Sequence, residues 1–276
     1  MLFNKSINKE SAIKTIVHSS VESFSEGFKS RHEGELDNPE GTINMKIHNV
    51  FIAALGPELQ YYTALVRSLD SSLGNMLEKM AINIATLFYD VKQRVEGPIT
   101  PEQTNEIARL LESYKRRSTK PKIEDYQNLR TMNTTKVKEV RHDSDYYLID
   151  RDNDSHTLIE LKIGGDLDNK KARSEKEAIL EQYAILSNVM PENTNIKIYF
   201  ATAYNRYGED KPWRQERVRQ FFADEELLIG RDFWNFVCKS DEGYKIVLDA
   251  YKEKASAITG ALDYIKSIYL KEKNTW

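Results

Sequence analysis

The sequence predicts an α/β fold: a mixed central β-sheet flanked by helices, with a helical N-terminal part and a long C-terminal helix. Three observations lead to this prediction. Apolar residues recur at helical spacing over most of residues 1–125. From about residue 134 strand-like segments follow one another, and a helical segment then leads to a further strand. Helical spacing returns from about Gly243 to Tyr269.

The chain has 276 residues, which is enough for one large domain or two small ones. Its N-terminal part could form a separate helical subdomain or the helical layer of a single domain. Because no long linker follows it, we expect one domain over residues 1–276, mainly helical over 1–125 and containing the sheet and C-terminal helices over 126–276.

The composition, with 40% hydrophobic and 30% charged residues, is typical of a soluble globular protein. The single cysteine, Cys238, excludes an intramolecular disulfide and a cysteine zinc cluster. The N-terminus lacks the apolar core of a signal peptide and no apolar run approaches a membrane span, so we expect a cytoplasmic protein without membrane contact. The net charge of −3 does not exclude nucleic acid, because binding depends on local basic faces. The basic run Lys115–Lys122 is either a solvated linker or a phosphate contact.

The N-terminal part is predicted to form several helices. Helical spacing covers about Lys9–Lys29 and Met45–Leu69, with a break near Gly56-Pro57. A further helix is expected to start at a cap formed by Asp70 or Ser71 and to carry an apolar stripe as far as Val91. A short helix is expected over Glu102–Tyr114.

Glu78 is the single charged residue in a strip of small residues on the third of these helices. The strip consists of Ser71, Gly74, Glu78, Ala81 and Ala85. Small neighbours allow another element or a ligand to approach the backbone closely. Spacing alone nevertheless favours an ordinary exposed glutamate on a core helix.

The second half of the chain is predicted to contain a β-hairpin. The first arm is His142–Asp150, the polar turn is Arg151–Ser155, and the second arm ends at Lys162. A strand over Thr134–Val140 precedes the hairpin. A helix over Asp166–Leu186 and a buried strand over Asn195–Thr202 follow it.

The length of the turn determines which residues share one face of the hairpin. Residues two apart on a strand point the same way, so Glu160 and Lys162 emerge side by side. An even-numbered turn, of two or four residues, brings Asp145 opposite Glu160, whereas an odd turn sends Asp145 to the apolar face and exposes Tyr146. Because burying an unpaired aspartate is costly, we favour the even turn, which places Asp145, Glu160 and Lys162 on one surface.

Two carboxylates and a lysine in this arrangement suit phosphoryl chemistry. The sequence has no phosphate-binding glycine loop, no His-Glu-x-x-His pair and no Gly-x-Ser-x-Gly elbow. Carboxylate oxygens from Asp145 and Glu160, with the carbonyl of Leu161, form a hard-oxygen site suited to Mg²⁺ or Mn²⁺. Lys162 could hold the attacking water or stabilise charge on the transition state. Spacing alone is equally compatible with a surface salt bridge, and His142 and His156 are expected to be structural.

Longer blocks of the sequence resemble a known enzyme family. Asp145 followed by Glu160-Leu-Lys162 at the end of a hairpin resembles the core of PD-(D/E)xK nucleases. Three further blocks are similar to type II restriction endonucleases, most closely the TdeIII-like group, in the same order from about Phe51 to Phe236: Ser71–Ala85, Glu160–Ala172 and Leu228–Trp234.

This resemblance implies sequence-specific, Mg²⁺-dependent hydrolysis of both strands of double-stranded DNA, leaving 5′-phosphates. It further implies a homodimer acting on a palindromic site, with a cognate DNA methyltransferase as genetic partner. It gives Asp145 and Glu160 the role of metal ligands, Lys162 a catalytic role, and Glu78 the role of an outer metal ligand. The family's proline is replaced by Ser144, which leaves Asp143 as a rival to Asp145.

Basic and amide side chains after the Glu-x-Lys sequence are candidate DNA contacts, for phosphates near the cut or for guanine readout. They are Asn169, Lys170, Lys171, Arg173, Arg206, Lys211, Arg214 and Arg217. Two alternative functions stay open: a structure-specific nuclease of repair or recombination, and a non-catalytic DNA-binding protein whose charged cluster is a salt bridge.

Overall fold

The structure is a computed structural model that describes the backbone of residues 2–131 and 137–271, with all their side chains except those of residues 2–8, 131, 145 and 271. The chain divides into two compact units. The first consists of Met1–Met80 and Lys245–Trp276, and the second of Ala81–Tyr244. The single domain expected over residues 1–276 stays a prediction.

The helices and strands form the predicted α/β fold, with one unpredicted strand, β1, in the part expected to be mainly helical. The α-helices are α1 (Leu2–Gly34), α2 (Val50–Ala53), α3 (Pro57–Ala85), α4 (Pro101–Lys115), α5 (Asn169–Val189), α6 (Glu216–Arg219), α7 (Arg231–Cys238) and α8 (Gly243–Lys271), with 3₁₀ turns at Asn44–His48, Ile123–Thr131 and Asp224–Glu226. The strands are β1 (Tyr89–Ile99), β2 (Lys138–Asp150), β3 (His156–Leu161), β4 (Ile196–Thr202) and β5 (Leu227–Ile229). Within the described part of the chain, no helix is long and apolar enough to cross a membrane.

The first unit is helical and has its own core. Side chains from α1, α3 and α8 and from the residue before the first 3₁₀ turn pack together: Phe28, Ile43, Tyr61, Ala64, Leu65, Ile265 and Tyr269. His32 is fully buried in this core, where its ring lies edge-on to Phe28 at 4.7 Å. The hydroxyl of Tyr269 donates a 2.9 Å hydrogen bond to the carbonyl of His32, which ties α8 to α1.

Two of the predicted helix boundaries are wrong. The helix expected to start at Asp70 or Ser71 is part of α3, which runs without interruption from Pro57. Proline suits the start of a helix because its fixed φ is helical and the missing N–H would have no intrahelical acceptor. The same helix ends at Ala85, and Val91, predicted to be its last apolar residue, lies instead in β1.

Within its described residues, the second unit contains a five-stranded mixed sheet in the order β1-β2-β3-β4-β5. β2 pairs antiparallel with β1 and with β3, whereas β4 pairs parallel with β3 and with β5. The parallel pair β3 and β4 is connected by α5, as parallel strands require. The strand predicted to begin at Thr134 starts outside the described residues, and its Lys138–Val140 portion is the beginning of β2.

Helices cover both faces of this sheet. On one face α4 and α5 pack over Leu158, Ile198 and Phe200. On the other, α7 places Phe233 6.0 Å from Tyr146. All six residues of β3 are buried, so this strand lacks the polar alternation of a strand with one solvated face.

A buried ion pair lies in the core beneath α5. Lys176 Nζ donates to both carboxylate oxygens of Glu226, at 2.6 and 2.8 Å, and both side chains are 1% exposed. The rings of Tyr126 and Phe222 lie 5.0 and 4.8 Å from the same ammonium. Burial lowers the pKa of Lys176, and the carboxylate of Glu226 opposes that shift. Loss of one partner alone would therefore leave the other as an uncompensated buried group.

Removing the negative charge of this pair should destabilise the protein strongly. Glu226→Gln retains an oxygen for the Ala223 N–H but leaves Lys176 without its counter-ion. We expect a loss of about 3–5 kcal/mol in the free energy of unfolding, measured by urea denaturation. The double variant Lys176→Met/Glu226→Gln should recover most of this loss. Equal unfolding midpoints for the single and double variants would contradict the explanation.

Candidate active site

A four-residue turn joins the two arms of the hairpin. The Asp150 N–H donates to the carbonyl of Ser155, and the Asp154 N–H donates to the carbonyl of Asp150, both at 2.9 Å. The turn is therefore Arg151–Asp154, which confirms the even-numbered alternative. Burial alone would raise the pKa of Asp150, but a 2.7 Å hydrogen bond from Lys239 and the Asp152 N–H hold it below its usual range.

The register of β2 against β3 follows from this turn. Tyr146 pairs with Ile159 in the last described step of the ladder. One further step of the same register brings the backbone of position 145 opposite Glu160. The side chain of Asp145 lies outside the described residues, so its contact with Glu160 stays a prediction.

β2 is irregular at the same place. Against β1 it pairs Tyr147 with Lys92 and Asp143 with Arg94, so the three residues Ser144–Tyr146 face a single residue of β1. Extra residues of this kind bend a strand and redirect its side chains, and they are over-represented beside active sites. Position 145 is the centre of this irregularity.

Three charged groups meet at the carboxyl end of β3. Lys162 Nζ lies 2.5 Å from Oε1 of Glu160 and 3.4 Å from Oε1 of Glu175, a residue of α5. The side chains are partly shielded from water, with exposed fractions of 10% for Glu160 and 32% for Lys162. The predicted Glu160–Lys162 pair therefore exists, and a second carboxylate joins it.

Glu175 was not predicted from the sequence, although a signal for it was present. Ala172, Ile179 and Tyr183 are buried along one side of α5. Glu175 lies three residues after Ala172 and four before Ile179, which is the spacing of a single helix face. A carboxylate within such an apolar stripe must meet a cation or a ligand, and here it meets Lys162.

The rival aspartate and the two hairpin histidines have other surroundings. The Asp143 side chain is 88% exposed and lies 3.6 Å from Nε of Arg94. His142 lies 3.1 Å from a carboxylate oxygen of Glu181, and His156 is buried and forms a 2.6 Å hydrogen bond with the Tyr147 hydroxyl. These contacts agree with the structural roles expected for both histidines.

Two loops at the ends of β3 and β4 pack against each other beside the charged cluster. Asp166 accepts hydrogen bonds from Arg206, at 2.9 Å, and from Gln215, at 3.1 Å. The Arg206 guanidinium lowers the pKa of Asp166. Gly165 adopts a φ of +64°, and the indole ring of Trp213 lies against it. The carboxyl ends of adjacent parallel strands are where open α/β sheets bind their ligands.

The candidate DNA contacts lie around these loops. Asn169, Lys170 and Lys171 form the exposed first turn of α5, whose N-cap is the side chain of Asp168. Arg173 is half-buried. The remaining candidates, apart from the paired Arg206, are exposed in the loop after β4 or in α6: Lys211, Arg214 and Arg217. Their contact with DNA stays a prediction.

The donor set fits a hard divalent cation. Glu160 and Glu175 supply two carboxylates, and Asp145 would supply a third. The imidazoles of His142 and His156 are engaged elsewhere, and the thiol of Cys238 is buried. Among the side chains that the structure describes, no group of three or more His, Cys, Asp or Glu residues could hold a metal ion. One or two carboxylates are enough to hold Mg²⁺, which keeps several water ligands, and the contribution of Asp145 stays a prediction.

Glu78 belongs to α3 and to the first compact unit. Its role beside the hairpin stays a prediction.

Residues 9–255 match a family model described as "Type II restriction endonuclease, HinfI". No curated protein and no solved structure matches the chain. The match spans both compact units and includes the hairpin, α5 and the loops beside the charged cluster. The narrower likeness to the TdeIII-like group is not confirmed.

Gly165 should be essential to the shape of the loop after β3. A Cβ at this position would approach Thr202 Cγ2 to 2.7 Å and the Trp213 ring to 3.2 Å. Because the positive φ adds strain, Gly165→Ala should lower the free energy of unfolding by about 1–3 kcal/mol, measured by thermal or urea denaturation. Gly27→Ala, with no neighbour within 4 Å in α1, should be neutral or slightly stabilising. Equal stability of the two variants would refute the prediction.

Proposed function

We propose that this chain, which belongs to the HinfI family of type II restriction endonucleases, hydrolyses both strands of double-stranded DNA at a specific sequence in a Mg²⁺-dependent reaction. The products would carry 5′-phosphates. The observation that supports the reaction centre is the Glu160–Lys162 pair at the carboxyl end of β3, opposite position 145 in the ladder. We expect the protein to act in the cytoplasm, where it meets incoming DNA.

Asp145, Glu160 and the Leu161 carbonyl would hold the Mg²⁺, or Mn²⁺ in its place, with Glu78 as an outer ligand. When bound, the metal would polarise a phosphoryl oxygen and lower the pKa of a coordinated water. The bond from water oxygen to phosphorus forms, the bond to the 3′-oxygen breaks, and that oxygen leaves as a hydroxyl after it gains a proton.

Lys162 would stabilise the negative charge that develops on the phosphate. Its ammonium is held between Glu160 and Glu175, so its position depends on both strand and helix. If Glu160 turns to a metal, Glu175 still holds Lys162 beside the site. Glu175 is therefore a positioning residue in this proposal, because it acts through the lysine.

The family supports DNA as the substrate, and we extend the proposal to two partners. A palindromic site has two equivalent strands, so a homodimer would bring one reaction centre to each. The basic residues around the β3 and β4 loops, including Lys170, Lys171 and Arg217, would contact phosphates beside the cut. A cognate DNA methyltransferase would protect the host sequence, and its gene is expected nearby.

Incubation of the protein with plasmid, phage or branched DNA, in Mg²⁺ or in Ca²⁺, distinguishes this function from the alternatives. Discrete fragments with Mg²⁺ and none with Ca²⁺ support a restriction endonuclease. Cleavage confined to branched DNA supports a structure-specific nuclease. Binding without cleavage under either ion supports a non-catalytic DNA-binding protein.

Substitution of the proposed reaction centre should separate cleavage from binding. Asp145→Ala and Lys162→Ala should each reduce the cleavage rate by at least about 10²–10³-fold, because each removes charge stabilisation from the transition state. Specific DNA binding in Ca²⁺, measured by fluorescence anisotropy, and the thermal unfolding midpoint should change little. Asp143→Ala is the matched control and should cleave normally. Full activity in Asp145→Ala together with loss in Asp143→Ala would transfer the metal role to Asp143.

Glu175→Gln tests the positioning role. The amide keeps the shape of the side chain but loses the charge that holds Lys162, so we expect single-turnover cleavage to slow by about 10–100-fold. The dissociation constant for DNA in Ca²⁺ should stay within a factor of two or so. Glu177→Gln, on the same helix, is the control and should behave like the unsubstituted protein. Equal slowing in both variants would show a general effect of charge on α5.

A further inference from the structure

Large apolar side chains are concentrated on the surface of the first unit. They lie in the 3₁₀ turn Asn44–His48, in α2 and at the beginning of α3, and their exposed fractions range from 45% to 84%. We call them the apolar patch: Met45, Ile47, Val50, Phe51, Leu55 and Leu59. Single exposed hydrophobic residues are ordinary, but six within fifteen consecutive residues are not.

The exposed area of the apolar patch is a large part of what one partner contributes to a protein interface. Its six side chains present roughly 650 Å² to solvent, against about 300–600 Å² for the largest patch on a typical monomer. One partner in a stable complex contributes about 800 Å². Polar groups that would form a rim lie beside it, since Lys46, Asn49 and Arg67 line a groove next to Met45.

We propose that the apolar patch is the surface through which two copies of this chain form a dimer. The occupant is a second copy because a predominantly apolar surface is complementary to itself, as a two-fold interface requires. The choice also rests on the proposed function, since one chain supplies one reaction centre and a duplex has two strands. Phe51, with 84% of its surface exposed, would be buried at the centre of the contact.

Sedimentation of the full chain, without DNA or metal, tests this surface. The unsubstituted protein should be a dimer at micromolar concentration. Val50→Glu and Phe51→Glu should sediment as folded monomers, because each places a charge in the apolar contact. Val137→Glu is the matched control: Val137 is 56% exposed but lies in the other unit, so this variant should stay dimeric. Circular dichroism should be the same for all four proteins.

A thiol placed in the apolar patch gives a readout that does not depend on loss of the dimer. Cys238 is buried, so Leu55→Cys, which keeps the Phe51 ring, introduces a single accessible thiol. Its reaction with a maleimide should slow at least tenfold between dilute and concentrated protein, whereas Val137→Cys should react at one rate throughout. A monomeric unsubstituted protein, a dimer that survives both Glu variants, or concentration-independent labelling of Leu55→Cys would each overturn the proposal. None of these results would bear on nuclease activity, which is measured separately.

Discussion

The turn Arg151–Asp154 controls which residues of the hairpin meet across the sheet. Its geometry depends on the carboxylate of Asp150, which is buried and held by Lys239 at the end of α7. Because strand side chains alternate at every residue, a turn one residue longer or shorter would remove position 145 from the face of Glu160. Lys239, at the end of α7 on one face of the sheet, therefore supports the turn that sets the register. The side chain of Glu160 lies on the other face.

The setting of β3 explains why its charged end is distinctive. A strand that is buried on both faces can carry a carboxylate only where that group finds a partner. Glu160 meets this condition near the carboxyl end of β3, where Lys162 contacts both Glu160 and Glu175. The partial burial strengthens each electrostatic contact, so a cation replacing the ammonium beside Glu160 would enter a site already arranged for positive charge.

The sequence predicted best those elements that follow a simple period and bury one face. α5 is of this kind; the hairpin and β4 were predicted from a polar turn and apolar runs, and the even turn followed from the cost of burying a lone aspartate. β1 was missed because it is an edge strand, with Gly97-Pro98 near its end and only Tyr89, Val95 and Ile99 buried. Glu175 was missed because its partner is thirteen residues away along the chain and becomes a neighbour only when α5 crosses back over the sheet.

The structure contains a buried charged side chain, Lys176, and an exposed aromatic side chain, Phe51, and only the first has a partner within the described chain. Lys176 is a charge in the core, and Glu226 satisfies it within the same chain, so that burial carries information about stability alone. Phe51 is a large ring in solvent, and within the described part of the chain nothing covers most of it. Exposure of this ring to water is unfavourable, and formation of the proposed dimer would bury the Phe51 rings of both copies. The exposed ring, rather than the buried charge, is therefore the departure that indicates association.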